Sequence, residues 1–317
     1  MTEIQERGKD HSPLIIIVGP TGVGKTEFSI ILAEKFHGEI ISADSRLFYR
    51  GMDIGTAKPN QAERRNVPHH LIDIADPDET VSLAEFQHRA QETILAIYAR
   101  GRLPFLVGGT GQYIRAVTEG WEVPRQSPDA RLRTAIERWG GEIGGEKLHA
   151  YLSRLDPDAA AVIDWRNLRR TVRALEVIFL TGQKFSAQRR ARPSLYQIQM
   201  IGLTLPRERL YERIDRRIEK MIADGLVGEV KQLLSLGYSP ALPSMSAIGY
   251  AQIAAHLEGE MALEEAVMLI KRQTRVFVRR QANWFKPEDP TIQWYRAEKG
   301  KLSEIEASVR EFLARSD

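Results

Sequence analysis

The apolar run Leu14-Ile15-Ile16-Ile17-Val18, followed at once by Gly19-Pro20-Thr21-Gly22-Val23-Gly24-Lys25-Thr26, leaves this chain few folds to choose from. The pattern G-x-x-x-x-G-K-[ST] directly after an apolar run predicts a buried strand, a glycine-rich loop and a helix opening at about Thr26. Gly19, Gly22 and Gly24 let the backbone curl until successive N–H groups face one concavity, which suits an anion. The helix N-terminus adds partial positive charge, Lys25 a mobile cation, and the Thr26 hydroxyl an oxygen for Mg²⁺. Lys25 and Thr26 separate this loop from an ordinary glycine-rich turn. The expected ligand is a diphosphate or triphosphate.

The alternation continues downstream. Phe28, Ile31, Leu32 and Phe36 have helical spacing, residues 39–42 and 70–74 read as short strands, and Leu103 to Val107 is another continuous apolar run. A helix is expected over 82–100, stopped by Gly101. Strands separated by helices imply an α/β fold class with a parallel sheet covered on both faces. Ligands of such sheets sit beyond the carboxyl ends of the strands. That places Gly19 to Thr26, Ala43-Asp44-Ser45-Arg46 and Gly108-Gly109-Thr110-Gly111 at one rim.

From Trp121 the texture changes. Ser127 is the expected N-cap of a helix with Pro128 at its first position, and Gly140-Gly141 and Gly144-Gly145 read as a loop. More helices run to Gly182, and 189–193 reads as a basic linker. Residues 197–205 resume strand character and are expected to rejoin the first sheet, with helical pattern to the end. The expected organisation is a catalytic core of 1–120 and 200–317 around an inserted helical subdomain of 121–199. The 317 residues include no cysteine, which excludes disulfides, thiolate zinc sites and cysteine nucleophiles. No apolar run approaches the roughly 20 residues of a membrane helix, and the polar start has no signal-peptide character. A cytoplasmic chain with no membrane partner is expected, as a monomer.

The cradle comes without the companion that a nucleoside triphosphatase carries, an apolar strand ending in Asp or Glu. The candidate strand 103–107 ends in Gly108-Gly109 instead. Asp44 follows a different strand. It reads either as a turn or N-cap residue or as an acceptor for a substrate proton near the held phosphates.

The run from Ser42 through Asp44-Ser45-Arg46-Leu47-Phe48-Tyr49-Arg50-Gly51-Met52-Asp53-Ile54-Gly55-Thr56-Ala57-Lys58-Pro59 resembles the signature of the tRNA dimethylallyltransferases. Val107 to Tyr113, Arg170 to Val177, and Thr274-Arg275 through Arg280-Gln281 to Trp284-Phe285 are similar to the same family, so the likeness spans about 14–286. The chain departs from it at Leu47 and Ser246, where glutamine is common. The resemblance implies a P-loop NTPase-like parallel sheet with a helical insert of the bacterial type. The activity it implies is transfer of a dimethylallyl group from dimethylallyl diphosphate to the N6 of an adenosine beside the anticodon of tRNA. It further implies Mg²⁺ as cofactor, with the tRNA anticodon stem-loop and dimethylallyl diphosphate as partners. Asp44, Thr110 and Arg217 become the catalytic candidates, with Gly19 to Thr26 holding the diphosphate. Ser45, Arg46 and Leu47, together with Asp44 and Thr110, become candidates for tRNA contact. The rival enzyme reading is a small-molecule or nucleotide kinase; a binding module without activity is a third.

Basic faces point the same way. In 164–182, Leu168, Val172, Leu175 and Phe179 form an apolar stripe, with Arg166, Arg169, Arg170 and Arg173 on another side. In 263–285, Val267, Ile270 and Phe277 are expected to face inward while Lys271, Arg272, Arg275 and Arg279 line another side. Arg131, Arg133 and Arg138 add charge to the insert. Net charge is only +3, so segregation rather than excess is the signal. Such patches suit a nucleic-acid backbone, against the plainer reading of a solvated face. We take Arg133, Arg169, Arg170, Arg173, Arg275 and Arg279 as the tRNA-binding candidates. Phe48, Tyr49, Tyr113 and Tyr250 are available for stacking or for core packing.

Overall fold

The computed structural model describes residues 12–121, 129–189 and 194–315. They form two compact units: one from the described parts of Met1–Val81, Phe86–Thr118 and Ser194–Asp317, the other from Ser82–Glu85 and the described part of Glu119–Pro193.

The first unit is built on β1 (Ser12–Val18), α1 (Lys25–Lys35), β2 (Gly38–Ser42), the single turn α2 (Gln61–Arg64), β3 (His69–His70), α3 (Leu83–Ala99), β4 (Leu103–Val107) and α4 (Gly111–Thr118). The second unit contributes α5 (Ala130–Ile143), α6 (Gly145–Leu155), α7 (Pro157–Val162) and α8 (Leu168–Thr181). The chain then returns with β5 (Tyr196–Thr204), α9 (Arg207–Ala223), α10 (Leu226–Ser235), α11 (Tyr250–Leu257), α12 (Leu263–Gln281), β6 (Ile292–Arg296) and α13 (Leu302–Ala314). The six strands lie in the order β3-β2-β4-β1-β5-β6, all parallel.

β1 explains its own composition. Flanked by β4 and β5, it is buried on both faces, so alternate residues serve two cores. Ile15 and Ile17 join the cluster with Leu210, Ile214 and Ile270, while Leu14, Ile16 and Val18 join that with Phe86, Ile94 and Ile114. Each such side chain withdrawn from water contributes about 1.5–3 kcal/mol, and a strand with two dry faces needs an unbroken apolar run. The second unit has its own core of Ile136, Leu148, Leu152, Val172 and Leu175. Among the described residues no helix is long and apolar enough to cross a membrane.

Several expectations need correction. The strand over 70–74 is only His69–His70. Leu71 and Asp73 take positive φ, and Ile74 and Ala75 donate to the Phe48 carbonyl rather than extending a ladder beside β2. Gly140 and Gly141 lie inside α5; only Gly144, with φ of 87°, breaks the helix. Ser127 and Pro128 are outside the described residues, and α5 starts at Ala130 with Asp129 accepting from the N–H of Arg131 and Leu132. Of the linker 189–193, residues 190–193 lie outside the description as well. Residues 196–199, placed in the insert by the sequence reading, belong to β5, which pairs with β1 along its length. β6 was missed within a stretch expected to be helical, because its pattern is too short to separate from a turn.

Candidate active site

The loops after β1, β2 and β4 converge on one cavity of 840 Å³ in the first unit, walled by Thr21, Asp44, Ser45, Arg46 and Gly109 to Gln112. The far wall comes from α9 and α12, with Arg217, Arg272, Gln273, Arg280 and Gln281 among apolar Ile214, Ile218, Met221 and Ile270. A lining of both polar and apolar residues suits a ligand with a charged head and a hydrocarbon part.

The P-loop is in place. Gly22 and Gly24 have φ of 81° and 109°, a region closed to most side chains, and α1 opens at Lys25. Of the expected diphosphate cradle, Thr21 reaches the cavity wall, while Gly19, Pro20, Gly22, Val23 and Gly24 form the turn behind it. Lys25 Nζ donates to the carbonyls of Gly19 and Pro20, both at 3.0 Å. Burial lowers its pKa to about 8, Asp44 opposing the shift and Arg217 adding to it. Thr26 is exposed in the first helical turn. Among the described residues no three His, Cys, Asp or Glu side chains gather to hold a metal. A Mg²⁺ sharing a diphosphate needs few protein oxygens, and Thr26 can supply one.

Asp44 makes the turn that one reading expects and lies where the other would need it, at the cavity wall. One carboxylate oxygen accepts from the Arg46 N–H at 3.0 Å, an Asx-type turn that fixes the side chain, and the residue still lines the cavity. Arg217 lies three residues after buried Ile214 and seven after buried Leu210 on α9, so it shares their inward-facing side. Its Nη2 donates to the Thr56 carbonyl at 3.3 Å. Burial lowers its pKa against the pull of Asp44. The plain reading of Arg217 as a solvated charge is thereby removed. Thr110 stands just before α4 and also lines the cavity.

The candidates for tRNA contact divide. Ser45 and Arg46 line the cavity, Arg46 with its guanidinium on the carbonyls of Pro243 and Ser244; Leu47 does not line it. In the second unit Arg133 and Arg173 both bind the fully buried Glu176, at 2.8 and 2.9 Å; the Arg133 pair braces α5 against α8, and the Arg173 pair lies within α8. Arg169 is exposed and Arg170 half-buried on α8. In the first unit Arg275 bonds Asp215 at 2.5 Å and sits over the Tyr211 ring, while Arg279 is exposed. Phe179 and Phe277, expected inside, are 49% and 40% exposed; Phe277 lines the cavity. Phe48, Phe86 and Tyr113 stack on one another with centroids 4.4–5.8 Å apart, and Tyr49 and Tyr250 are buried, so these aromatics pack the core.

Gln281 went unassigned from sequence. Buried at the end of α12, its Oε1 accepts from the Thr21 N–H at 2.8 Å and its Nε2 donates to the Gly109 carbonyl at 3.2 Å. One side chain thus joins the P-loop to the loop after β4. Arg213, likewise unassigned, donates to the Val23 carbonyl at 3.0 Å.

Fold and cavity together define an α/β protein whose P-loop faces a mixed polar and apolar pocket. Comparison with known proteins narrows this. The family described as IPP transferase matches residues 47–288. A tRNA dimethylallyltransferase of Roseiflexus sp. (strain RS-1) is 52% identical over 94% of this chain and 97% of its own length. That of Roseiflexus castenholzii is 55% identical over 86% and 90%. The crystal structure of the tRNA isopentenylpyrophosphate transferase of Bacillus halodurans is 43% identical, with a TM-score of 0.72 over 96% of this chain and 98% of that one. A eukaryotic dimethylallyltransferase acting on tRNA is 28% identical, with a TM-score of 0.79 over 95% and 77%. The chain belongs to the IPP transferase family.

Proposed function

We propose that this chain transfers the dimethylallyl group of dimethylallyl diphosphate to the N6 of an adenosine beside the anticodon of tRNA, in the cytoplasm. Family membership supports the reaction, and the relatives carry it in their names. The observation that carries the residue roles is one cavity containing Asp44, Arg217 and the P-loop edge at Thr21.

The diphosphate would lie on the P-loop amides, with Lys25 turning from its two carbonyls toward the phosphate and Arg217 and Thr110 on the other side. Apolar Ile214, Ile218, Met221 and Ile270 would take the five-carbon group and keep water from it. The N6 lone pair attacks the carbon bonded to oxygen, that C–O bond breaks, and its electrons leave with the diphosphate. Lys25 and Arg217 stabilise the charge gathering there. Asp44 accepts the N6 proton, which becomes acidic as the C–N bond forms. Mg²⁺, held by Thr26 and the phosphates, would supply further neutralisation of the leaving group. Asp44 is the one carboxylate lining the cavity among the described residues. A site that must exclude water needs no second one to activate it. The exposed arginines, Arg169 foremost, would meet the RNA backbone.

Incubating the protein with tRNA and labelled dimethylallyl diphosphate, and separately with labelled ATP, tests the reading. Label on tRNA from the prenyl donor is expected. Phosphoryl transfer from ATP without prenylation would mark a kinase and refute it.

A further inference from the structure

The segment Asp53-Ile54-Gly55-Thr56 sits in the most distinctive motif of the chain, yet the reaction gives it no task beyond walling the cavity. Its fixation comes from elsewhere in the fold. Glu229 on α10 accepts from three consecutive backbone N–H groups: Asp53 at 3.0 Å and Ile54 at 2.8 Å on Oε2, and Gly55 at 3.1 Å on Oε1. Oε1 also accepts from the Tyr250 hydroxyl at 2.5 Å. Consecutive amides turned on one point make an anion nest of the kind the P-loop offers to phosphate. Here the nest holds the protein's own carboxylate. A side chain at Gly55 would collide with the Tyr250 ring, which is fully buried. Burial, reinforced by the adjacent Glu229, pushes the Tyr250 phenol far above its ordinary value, so it remains a donor.

The residue after the nest is Thr56. Its hydroxyl donates to the Met52 carbonyl at 2.7 Å, and its own carbonyl accepts from Arg217. A guanidinium with a fixed acceptor samples fewer orientations than one reaching into open space. We propose that Glu229 is a positioning residue: by filling the amide nest of Asp53-Ile54-Gly55 it fixes the Thr56 carbonyl, and through it the aim of Arg217 into the cavity. The catalytic consequence rests on the reading of Arg217 as a diphosphate ligand.

The test pairs kinetics with a direct view of Arg217. Glu229→Gln is expected to lower kcat about tenfold and raise KM for dimethylallyl diphosphate, with KM for tRNA unchanged. In an Arg217→Ala background the same substitution should cost less than about twofold, since the two act as one unit. Equal losses in both backgrounds would overturn the proposal. Independently, the Arg217 Nε–H NMR signal, assigned by its loss in Arg217→Lys, should shift and exchange faster with water in Glu229→Gln. An unchanged signal overturns the anchor whatever the kinetics. A shifted signal with full activity upholds the anchor and refutes the diphosphate role of Arg217. If Glu229→Gln does not fold, Tyr250→Phe, which leaves the three amide bonds, takes its place in both measurements with a smaller loss of about threefold.

Discussion

Arg217 on α9 and Arg173 on α8 look alike in sequence: each is an arginine among arginines on an amphipathic helix. The fold treats them differently. Arg173 shares the buried carboxylate of Glu176 with Arg133, so its charge already has a counterion on its own helix. Arg217 meets a neutral carbonyl and is desolvated beside a cavity, so its charge is still open to an anion. Whether a basic residue can serve a ligand depends on whether packing has already given it a counterion, which helical spacing does not reveal.

The contrast can be broken in several places. The largest effect is expected at Asp44, the acid that faces Lys25 and Arg217. Asp44→Ala should slow single-turnover transfer by about 10²–10⁴-fold with tRNA affinity nearly intact, and an unchanged rate would remove it as the base. Next, Arg217→Ala should cost about 10²–10³-fold in kcat, whereas Arg173→Ala should leave single-turnover chemistry at saturating tRNA within about threefold. Parity between the two arginines would erase the distinction. Third, Glu176→Gln should lower unfolding free energy by about 1–3 kcal/mol in a denaturant titration, because two arginines lose their shared anion.

A fourth test uses pH. Burial holds the folded pKa of Lys25 at about 8, below the ordinary 10.5, so the ammonium is lost as pH rises through that value. The advantage of wild type over Lys25→Gln in binding inorganic pyrophosphate should shrink between about pH 7 and about pH 9, the ratio cancelling titration of the ligand. A constant ratio would deny Lys25 contact with phosphate. The smallest effect is expected at exposed Arg169. Arg169→Ala should weaken tRNA binding a few-fold and reduce the slope of log affinity against log salt by about one.

The strand, loop and helix around Gly19 to Thr26 were legible because local chemistry dictates them: an apolar run, positive φ, a helix start. Asp44 and the Gly108 to Gly111 loop followed from the rule that parallel strands end at the ligand. Other features lay beyond such reasoning. Gln281 meets Thr21 across 260 positions, and no periodicity records that. The short strand at 69–70 gave way because its continuation bonds to Phe48 and Tyr49, a choice made by tertiary packing. The buried aromatics and the paired arginines Arg133 of α5 and Arg173 of α8 were ambiguous for the same reason. A helical wheel shows which face a residue shares, and it is silent about the partner waiting there.

The seven-residue pairing of β1 with β5 bears on how the polypeptide is made. β5 lies downstream of the second unit, so a nascent chain emerging N-terminus first exposes one flank of its most apolar strand until residues 196–204 leave the ribosome. The intervening helices carry their own core and can mature in that interval. A pause within them would prolong a bare, greasy edge, and delayed translation there should favour aggregation over native assembly.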